Sequence, residues 1–360
     1  MSSTKTLHDL GQSLWLDNIT REILDDGTLR RYIDDFSVTG LTSNPTIFDE
    51  AIGKTAAYDK GIRQKAQAGL GGESLFIELA LEDLCRAADL FKPEFDRSRG
   101  VDGWVSMEVS PLLANDTRGT VDSALRIHQQ AARPNLYVKI PGTAAGVKAI
   151  EETIFAGVPV NVTLLFSREQ YLSAAEAYMR GIERRIAAGL DPRINSVASV
   201  FVSRWDKSVA DKVPQDLANR LGIAIMQRTY RAHCELLAAK RWQELEAKGA
   251  RKQRMLWAST GTKDPKAPPD LYVAALAAPD TIDTMPEKTL LAFAEKGSVK
   301  GVMAKDGGDA ETVLSSFARA GVDVTELAAQ LQSEGAASFV KSWTELMQRI
   351  QKKSAALATA

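Results

Sequence analysis

The sequence is poor in residues that cross-link chains or coordinate metals. Its 360 residues include two cysteines, Cys85 and Cys234, and three histidines, His8, His128 and His233. The cysteines form no CxxC pair, and the histidines are scattered through segments of helical or terminal character. This scarcity disfavours both a disulfide scaffold and a zinc site, so we expect no metal.

Net charge and long apolar runs are also lacking. The chain has 45 Lys and Arg against 46 Asp and Glu, which leaves a formal net charge of -1 and no broad basic field for nucleic acid. Residues 271–278, the most apolar helical stretch, are too few to span a bilayer, and residues 1–12 hold no apolar signal segment. We therefore expect a cytoplasmic protein with no nucleic-acid partner and no membrane attachment.

What the sequence does contain is a regular alternation of two patterns. Short apolar runs bounded by Gly, Pro, Ser or Asn alternate with stretches of helical periodicity, among them residues 75–91, 121–132 and 168–188. Eight parallel strands joined by helices predict a single (β/α)8 TIM-type barrel with extra helices. No glycine-rich dinucleotide fingerprint follows the first run, which disfavours a Rossmann fold. The predicted strands are residues 13–17, 37–41, 103–109, 135–140, 160–166, 196–203, 255–259 and 281–285.

Two stretches exceed the minimum that a barrel needs. Residues 206–254 and 310–353 both show helical periodicity and predict additional helices. We find no internal repeat, low-complexity tract or linker that would separate a second domain. The sequence therefore predicts one domain over residues 1–360.

Side chains alternate along a strand, so inward-pointing polar residues can be recognised. Leu136, Val138 and Ile140 form an apolar face, which turns Lys139 inward near the C-terminal end of its strand, where barrel enzymes carry their chemistry. The same alternation predicts further inward residues: Trp15, Asp17, Trp104, Ser106, Glu108, Asn161, Thr163, Leu165, Ser199, Phe201, Ser203, Trp257 and Ser259.

A lysine inside a barrel has more than one interpretation. A desolvated amine loses its proton more readily, and the neutral amine attacks a ketone to give an iminium that accepts electrons from a breaking C–C bond. Alternatively, Lys139 and Glu108 form a structural ion pair, or Lys139 extends past the strand end to solvent. The other inward polar residues, with Asp17 among them, favour the catalytic interpretation.

Four motifs extend this picture into a family resemblance. They are residues 40–48 (GLTSNPTIF), 137–141 (YVKIP), 161–167 (NVTLLFS) and 199–204 (SVFVSR). In this order, and each on its expected strand, they resemble transaldolases, and the likeness covers roughly residues 14–349. The resemblance implies transfer of a dihydroxyacetone unit from a ketose phosphate, sedoheptulose 7-phosphate or fructose 6-phosphate. The acceptor would be an aldose phosphate, glyceraldehyde 3-phosphate or erythrose 4-phosphate, in the non-oxidative pentose phosphate pathway.

The resemblance also implies a role for each matching residue. Lys139 would form the Schiff base, and Asp17 would take the proton from the hydroxyl beside the breaking bond. Glu108 would move protons through a water that Thr163 positions. The residues implied for substrate binding are Asn44 and Asn161 at the donor hydroxyls, Ser199 at the dihydroxyacetone end, Phe201, Ser259 and, for the phosphate, Arg204.

The expected phosphate site departs from the better-known family pattern. Arg204 has the opposite parity to Ser199, so it reaches the pocket only if its strand has already ended, and a salt bridge with Asp206 is the alternative. Family members also carry a second arginine just after the seventh strand, where this sequence has Gly261, Thr262 and Lys263. Lys263 is the nearest cationic substitute, and the variant resembles the actinobacterial-type subfamily.

Two other functions compete with transfer. A fructose-6-phosphate-type aldolase releases the three-carbon unit to water, but such aldolases carry a tyrosine at the position of Phe201. A non-catalytic sugar-phosphate-binding barrel shares the fold, since a fold does not determine function. For transfer we expect sugar phosphates as partners, no cofactor, and a monomer or homodimer.

Overall fold

A computed structural model describes residues 2–299 and 301–358 of the chain. The described part contains eight β-strands, and all of their pairings are parallel. The strands are β1 (Ser13–Asp17), β2 (Val38–Thr42), β3 (Val105–Glu108), β4 (Leu136–Pro141), β5 (Val160–Leu165), β6 (Ser196–Phe201), β7 (Arg254–Ala258) and β8 (Ile282–Met285).

Sixteen α-helices are found in the same residues, together with two short 3-10 turns, Pro111–Leu113 and Gln215–Leu217. None of these helices is long and apolar enough to cross a membrane. The helices are α1 (Ser3–Asp9), α2 (Arg21–Asp25), α3 (Thr28–Phe36), α4 (Pro45–Lys54), α5 (Asp59–Gln67), α6 (Gly72–Arg97), α7 (Thr117–Ala131), α8 (Ala144–Phe155), α9 (Arg168–Ala187), α10 (Ser203–Val209), α11 (Leu221–Ala238), α12 (Lys240–Ala247), α13 (Leu271–Ala275), α14 (Glu287–Lys296), α15 (Ala310–Arg319) and α16 (Val324–Ala358).

The strands close into a barrel. Their order is β2-β1-β8-β7-β6-β5-β4-β3, and a parallel bridge between Gly40 and Trp104 joins the two ends of this sheet. Gly40 is needed at the seam, because a Cβ there would lie 2.6 Å from Nε1 of Trp15 and 2.7 Å from the carbonyl oxygen of Trp104. The predicted (β/α)8 barrel is therefore confirmed.

Large aromatic side chains fill the lower half of the barrel. Trp104 stacks on Tyr137 with 4.0 Å between ring centroids, and Trp15 contacts the same tyrosine at 6.2 Å. Tyr137 precedes Lys139 by two residues, so the aromatic layer lies directly beneath the lysine. The barrel is thus packed below and open above, at the C-terminal ends of its strands.

The predicted direction of Trp257 is wrong. Ser199 and Phe201, which face the pocket, pair in register with Leu256 and Ala258, so Trp257 points outward and its ring packs against Tyr230 of α11 at 6.4 Å. The error has a simple cause, because two adjacent residues in a short apolar run are both plausible core residues and a one-residue slip reverses every side chain.

The prediction for Leu165 is wrong for a different reason. The register between β5 and β6 shifts between Val162 and Leu165, and Leu164 has a left-handed φ of 58°. This bulge places Leu165 opposite Val200, on the outward face, beside Gly142. Thr163, which precedes the bulge, keeps its inward direction.

The two stretches beyond the minimal barrel are helical, as predicted. Residues 206–254 hold most of α10 together with α11 and α12, and residues 310–353 hold α15 and most of α16. Helix α16 has 35 residues and packs against α4, α5 and α6. The single-domain organisation over residues 1–360 stays a prediction, and Met1, Lys300, Thr359 and Ala360 lie outside the described residues.

Candidate active site

A cavity of about 730 Å³ opens at the C-terminal ends of the strands. Nine of the eleven residues predicted for the site line this cavity, and they come from six strands or the segments that follow them. They are Asp17, Asn44, Lys139, Thr163, Ser199, Phe201, Arg204, Ser259 and Lys263. The other two, Glu108 and Asn161, lie beside and beneath it, and both are buried.

Lys139 is held between a carboxylate and a backbone carbonyl. Its Nζ atom lies 2.5 Å from Oε1 of Glu108 and donates a hydrogen bond of 2.9 Å to the carbonyl oxygen of Ser43. Lys139 is 6% exposed, so the lysine does not extend to bulk solvent. The ion pair of the structural interpretation does exist, but it faces a cavity in which a substrate fits.

Both carboxyl groups of the site hold protons more readily than usual. Burial raises the pKa of Glu108 against the opposing charge of Lys139, and the neighbouring Asp17 raises it further. Burial also raises the pKa of Asp17, while Lys139, a 2.9 Å hydrogen bond from Thr42 and one from Asn44 partly oppose the increase. Two carboxyls of raised pKa beside an amine suit proton transfer in both directions.

A second, much smaller cavity of about 20 Å³ adjoins Lys139 on the side of Glu108 and Thr163. The Oγ1 atom of Thr163 is buried and has no hydrogen-bond partner among the described residues. A volume of this size holds one water molecule when polar groups surround it. The arrangement fits the predicted water between Glu108 and Thr163.

The two asparagines differ in their access to substrate. Asn44 is the N-cap of α4, where its Oδ1 accepts a 3.1 Å hydrogen bond from the backbone N–H of Ile47, and it lines the main cavity. Asn161 is fully buried one layer lower. It donates to Ser106 at 3.1 Å and accepts from Ser199 at 2.7 Å, so in this arrangement it orients Ser199.

Arg204 reaches the cavity because β6 ends at Phe201 and α10 begins at Ser203. Its guanidinium lies over the ring of Phe201, 5.4 Å from the centroid. Burial lowers the pKa of Arg204, which the charge of Glu334 partly opposes. In the residues that the structure describes, no ion pair joins Arg204 to a carboxylate, so its donors are available to an anion.

The alternative salt bridge between Arg204 and Asp206 is wrong. The carboxylate of Asp206 caps the start of α11, where it accepts from the N–H groups of Leu221 at 2.8 Å and Gly222 at 3.1 Å. It also accepts a 2.8 Å hydrogen bond from the hydroxyl of Tyr272. Two residues apart on one helix turn, Arg204 and Asp206 point in different directions.

Lys263 lies on the cavity wall in the loop after β7, as the sequence predicts. Partial removal of water lowers its pKa, and the nearby cations Arg204 and Lys207 lower it further. The loop is tied to the segment before α11 by a 2.8 Å hydrogen bond from Asn219 to Asp264. Cationic groups therefore gather at one side of the mouth.

Ser259 lines the cavity by a route that strand alternation does not describe. It follows the end of β7, has a left-handed φ of 58°, and its Oγ lies 3.0 Å from Oγ of Ser203. The backbone reversal, rather than a continuing strand, turns this residue toward the pocket.

Several lining residues escape prediction from the sequence. Thr42 and Thr284, whose hydroxyl oxygens are 2.7 Å apart, lie on β2 and β8 and could have been found by extending the alternation test to those strands. Ser338 and Phe339 belong to α16, and no local pattern indicates that a helix so distant in the chain borders the pocket.

In the described ranges, no cluster of His, Cys, Asp or Glu could hold a metal ion, and Cys85 and Cys234 are free.

An enclosed lysine amine and two carboxyls at the mouth of a parallel barrel, with cations at the rim, define an enzyme that uses amine chemistry on an anionic carbonyl compound. The family model described as Transaldolase/Fructose-6-phosphate aldolase matches residues 14–350. The chain therefore belongs to the transaldolase/fructose-6-phosphate aldolase family.

Curated relatives agree with this assignment over nearly their whole length. The chain is 41% identical over 359 residues to a protein named Transaldolase from Saccharopolyspora erythraea, with 98% of each chain covered. It is 41% identical over 365 residues to Transaldolase from Thermobifida fusca, with 99% of each covered. It is also 38% identical over 362 residues to Transaldolase 2 from Nostoc punctiforme, with 95% of each covered.

Proposed function

We propose that this enzyme forms its Schiff-base intermediate on Lys139, with Glu108 and Asp17 as the two acid/base groups. The observation that carries the proposal is the contact between Lys139 and Glu108 inside a cavity that Asp17 also lines. The substrates are sugar phosphates: a ketose phosphate donates a dihydroxyacetone unit and an aldose phosphate accepts it.

The first half of the reaction forms the covalent intermediate. Glu108 accepts a proton from the Lys139 ammonium, and the neutral amine attacks C2 of the ketose. Glu108 then returns this proton, through a water held by Thr163, to the C2 oxygen. It next takes a second proton from the attached nitrogen and passes it to the same oxygen, which leaves as water. An iminium joins Nζ of Lys139 to C2, and no coenzyme is needed because this iminium accepts the electrons of the next step.

The second half breaks and remakes a carbon–carbon bond. Asp17 takes the proton of the C4 hydroxyl, the C3–C4 bond breaks, and its electron pair moves into the C2 iminium to give an enamine. The aldose phosphate leaves and an acceptor aldose phosphate enters. The enamine attacks the aldehyde carbon while Asp17 returns a proton to the new alkoxide, after which hydrolysis of the iminium frees the ketose.

Cations at the mouth suit the phosphate end of both substrates. Arg204 offers a fork of N–H donors that matches phosphate geometry, and Lys263 adds a point charge. We place Asn44, Ser199 and Phe201 at the donor chain. We further propose a cytoplasmic location and a monomer or homodimer.

The aldolase function is the second candidate, since the family includes fructose-6-phosphate aldolases. Phe201 lines the cavity with an apolar ring that brings no hydroxyl to activate water beside the intermediate. This favours retention of the three-carbon unit until an acceptor arrives.

The deciding experiment is borohydride trapping. Incubation with fructose 6-phosphate and borohydride should reduce the iminium to a stable amine on Lys139, detected by peptide mass spectrometry. Lys139→Ala should give no adduct and no turnover, whereas Lys148→Ala, at an exposed lysine of α8, should behave as the unaltered protein. An adduct on another lysine, or none, contradicts the proposal and favours a binding barrel. Sedoheptulose 7-phosphate formed from added erythrose 4-phosphate separates transfer from aldol release.

A further inference from the structure

Helix α16 covers the mouth of the barrel with one of its faces. Ser338 and Phe339 line the main cavity, and Ala336 and Phe339 form part of the wall of the small cavity beside Lys139. Ala336 and Phe339 are three residues apart and lie on one face of α16, and Ser338 borders that face. The helix is therefore part of the enclosure around the reacting amine.

Gln332 attaches this helix to two catalytic strands at once. Its Nε2 atom donates a 3.0 Å hydrogen bond to the carbonyl oxygen of Gly142 and a 2.9 Å hydrogen bond to that of Leu164. Gly142 follows the end of β4, which carries Lys139, and Leu164 follows Thr163 in β5. Both N–H bonds of the amide are thus used, one on each strand.

The strand carbonyls need this partner for a physical reason. The bulge at Leu164 interrupts the register between β5 and β6, so its carbonyl turns away from the regular ladder. A buried carbonyl without a donor is costly, and the amide of Gln332 supplies donors to both positions. The attachment point lies within three residues of Lys139 along β4 and adjoins Thr163.

Close approach of the helix depends on a glycine one turn further on. A Cβ at Gly335 would lie 3.0 Å from Cδ2 of Leu164, tighter than ordinary packing, and 3.6 Å from Nη1 of Arg204. Gly335 therefore lets α16 contact the Leu164 bulge and the side chain of Arg204 together. The next turn brings Phe339 into the walls of both cavities.

The distal part of α16 is attached elsewhere. Arg349 pairs with Asp49 of α4 at 2.6 Å, and Ser342 accepts a 2.9 Å hydrogen bond from Thr46. Loss of the Gln332 contacts would therefore leave α16 bound to α4, and to α9 through a 3.4 Å hydrogen bond from Gln170 to the carbonyl oxygen of Ala328, while the segment around Gln332 loosens over the catalytic strands.

We propose that Gln332 is a positioning residue that docks α16 on the ends of β4 and β5, and that this docking sets how the intermediate on Lys139 divides between transfer and release to water. The inference rests on the proposed function. In release, the enamine takes a proton on carbon to give an iminium. Water then adds to C2 and the amine of Lys139 leaves, so one water is consumed and dihydroxyacetone is formed. Because iminium hydrolysis also ends the transfer route, the step unique to release is protonation of the enamine carbon, and a docked Phe339 limits the access of water to that carbon.

The test compares two rates in matched variants. Gln332→Glu keeps the length of the side chain but replaces the amide donors with a carboxylate, and Gln332→Ala removes the group. Gln330→Ala is the control, because Gln330 lies on the same helix and, among the described residues, its side chain donates to the exposed Glu334 rather than to a strand. For each protein, dihydroxyacetone release without acceptor is measured beside transfer to erythrose 4-phosphate.

We expect the ratio of release to transfer to rise about tenfold in both Gln332 variants, which lose both hydrogen bonds to the strands, and to stay unchanged in Gln330→Ala. A merely structural role would lower both rates together and leave the ratio constant, which would overturn the proposal. If the Gln332 variants do not fold, Phe339→Ala opens the same wall with the Gln332 contacts intact, and an unchanged ratio there also overturns it. Absence of a borohydride adduct in the unaltered protein would instead refute the proposed function.

Discussion

The amine of Lys139 contacts the carboxylate of Glu108 at 2.5 Å across neighbouring strands of the barrel. The two residues are direct register partners on β3 and β4, so the contact follows from strand pairing rather than from a flexible loop. The other contact of Nζ, the carbonyl of Ser43, accepts a hydrogen bond but cannot accept the proton. Glu108 is therefore the contacting group able to exchange a proton with the amine.

Substitution of the two carboxyl groups, Asp17 and Glu108, should impair different steps of the reaction. Asp17→Asn removes the base for C–C cleavage and should lower turnover by about two orders of magnitude or more while the Schiff base still forms. Borohydride should then trap the whole ketose on Lys139. Glu108→Gln should instead slow the appearance of any adduct. Normal amounts of the three-carbon adduct in Asp17→Asn would show that Asp17 is not this base.

The hydroxyl of Thr163 should affect the rate of Schiff-base formation but hardly the stability of the fold. Its buried hydroxyl has no hydrogen-bond partner within residues 2–299 and 301–358, so Thr163→Val keeps the shape and loses no hydrogen bond to these residues. We expect nearly the same urea midpoint and adduct formation slowed by about tenfold to a hundredfold. Thr153→Val is the control and should leave the rate unchanged, because the hydroxyl of this buried threonine of α8 likewise has no partner in the described part of the chain. Equal rates of adduct formation in Thr163→Val and Thr153→Val would show that Thr163 has no part in the mechanism.

Phosphate recognition should be divided between Arg204 and Lys263. A charge-assisted hydrogen bond contributes about 1.5–3 kcal/mol, so Lys263→Ala should cost about tenfold to a hundredfold in kcat/KM for glyceraldehyde 3-phosphate. Arg204→Ala should cost more, because it removes a bidentate contact.

Two comparisons isolate the phosphate effect. The kcat/KM for unphosphorylated glyceraldehyde should hardly change in Lys263→Ala, because this acceptor has no phosphate for Lys263 to bind. Lys266→Ala, at an exposed lysine of the same loop, should leave both acceptors unaffected. If Lys263→Ala lowers kcat/KM equally for both acceptors, the second phosphate contact must come from another group, such as the backbone N–H groups near Ser259.

Asp283 should make stability depend on pH. Burial raises the pKa of this outward-facing carboxyl of β8 to about 7, against a 2.8 Å hydrogen bond from Thr260. The folded state therefore binds the proton more tightly than the unfolded state. The resulting stabilisation is complete below the ordinary aspartate pKa and is lost as pH rises through about 7.

The measurement is urea unfolding at two pH values. Between about pH 5.5 and pH 8.5, the unaltered protein should lose about 2 kcal/mol more of its unfolding free energy than Asp283→Asn, which cannot ionise. Asp122→Asn, at an exposed aspartate of α7, should follow the unaltered protein. Parallel pH profiles for Asp283→Asn and the unaltered protein would contradict a raised pKa.

Strand alternation correctly predicted the inward residues where strands are regular. Lys139, Glu108 and Asp17 occupy register positions that the alternation of apolar and polar residues indicates, and each contacts the site as expected. Strand alternation gave the wrong direction for Leu165 and Trp257. A bulge at Leu164 turns the side chain of Leu165 outward. Trp257 lies in a strand where adjacent residues are all apolar, so the sequence does not show which of them point inward.

The sequence by itself determined the barrel and the family, because alternating apolar and helical segments and four motifs in order are local features of the chain. The tertiary structure alone decided how the site is enclosed. Gln332 meets the carbonyls of Gly142 and Leu164 across more than 160 residues, and Arg204 turns inward because β6 stops at Phe201. Contacts of this kind depend on where strands end and which helix covers them, and no periodicity along the chain encodes either one.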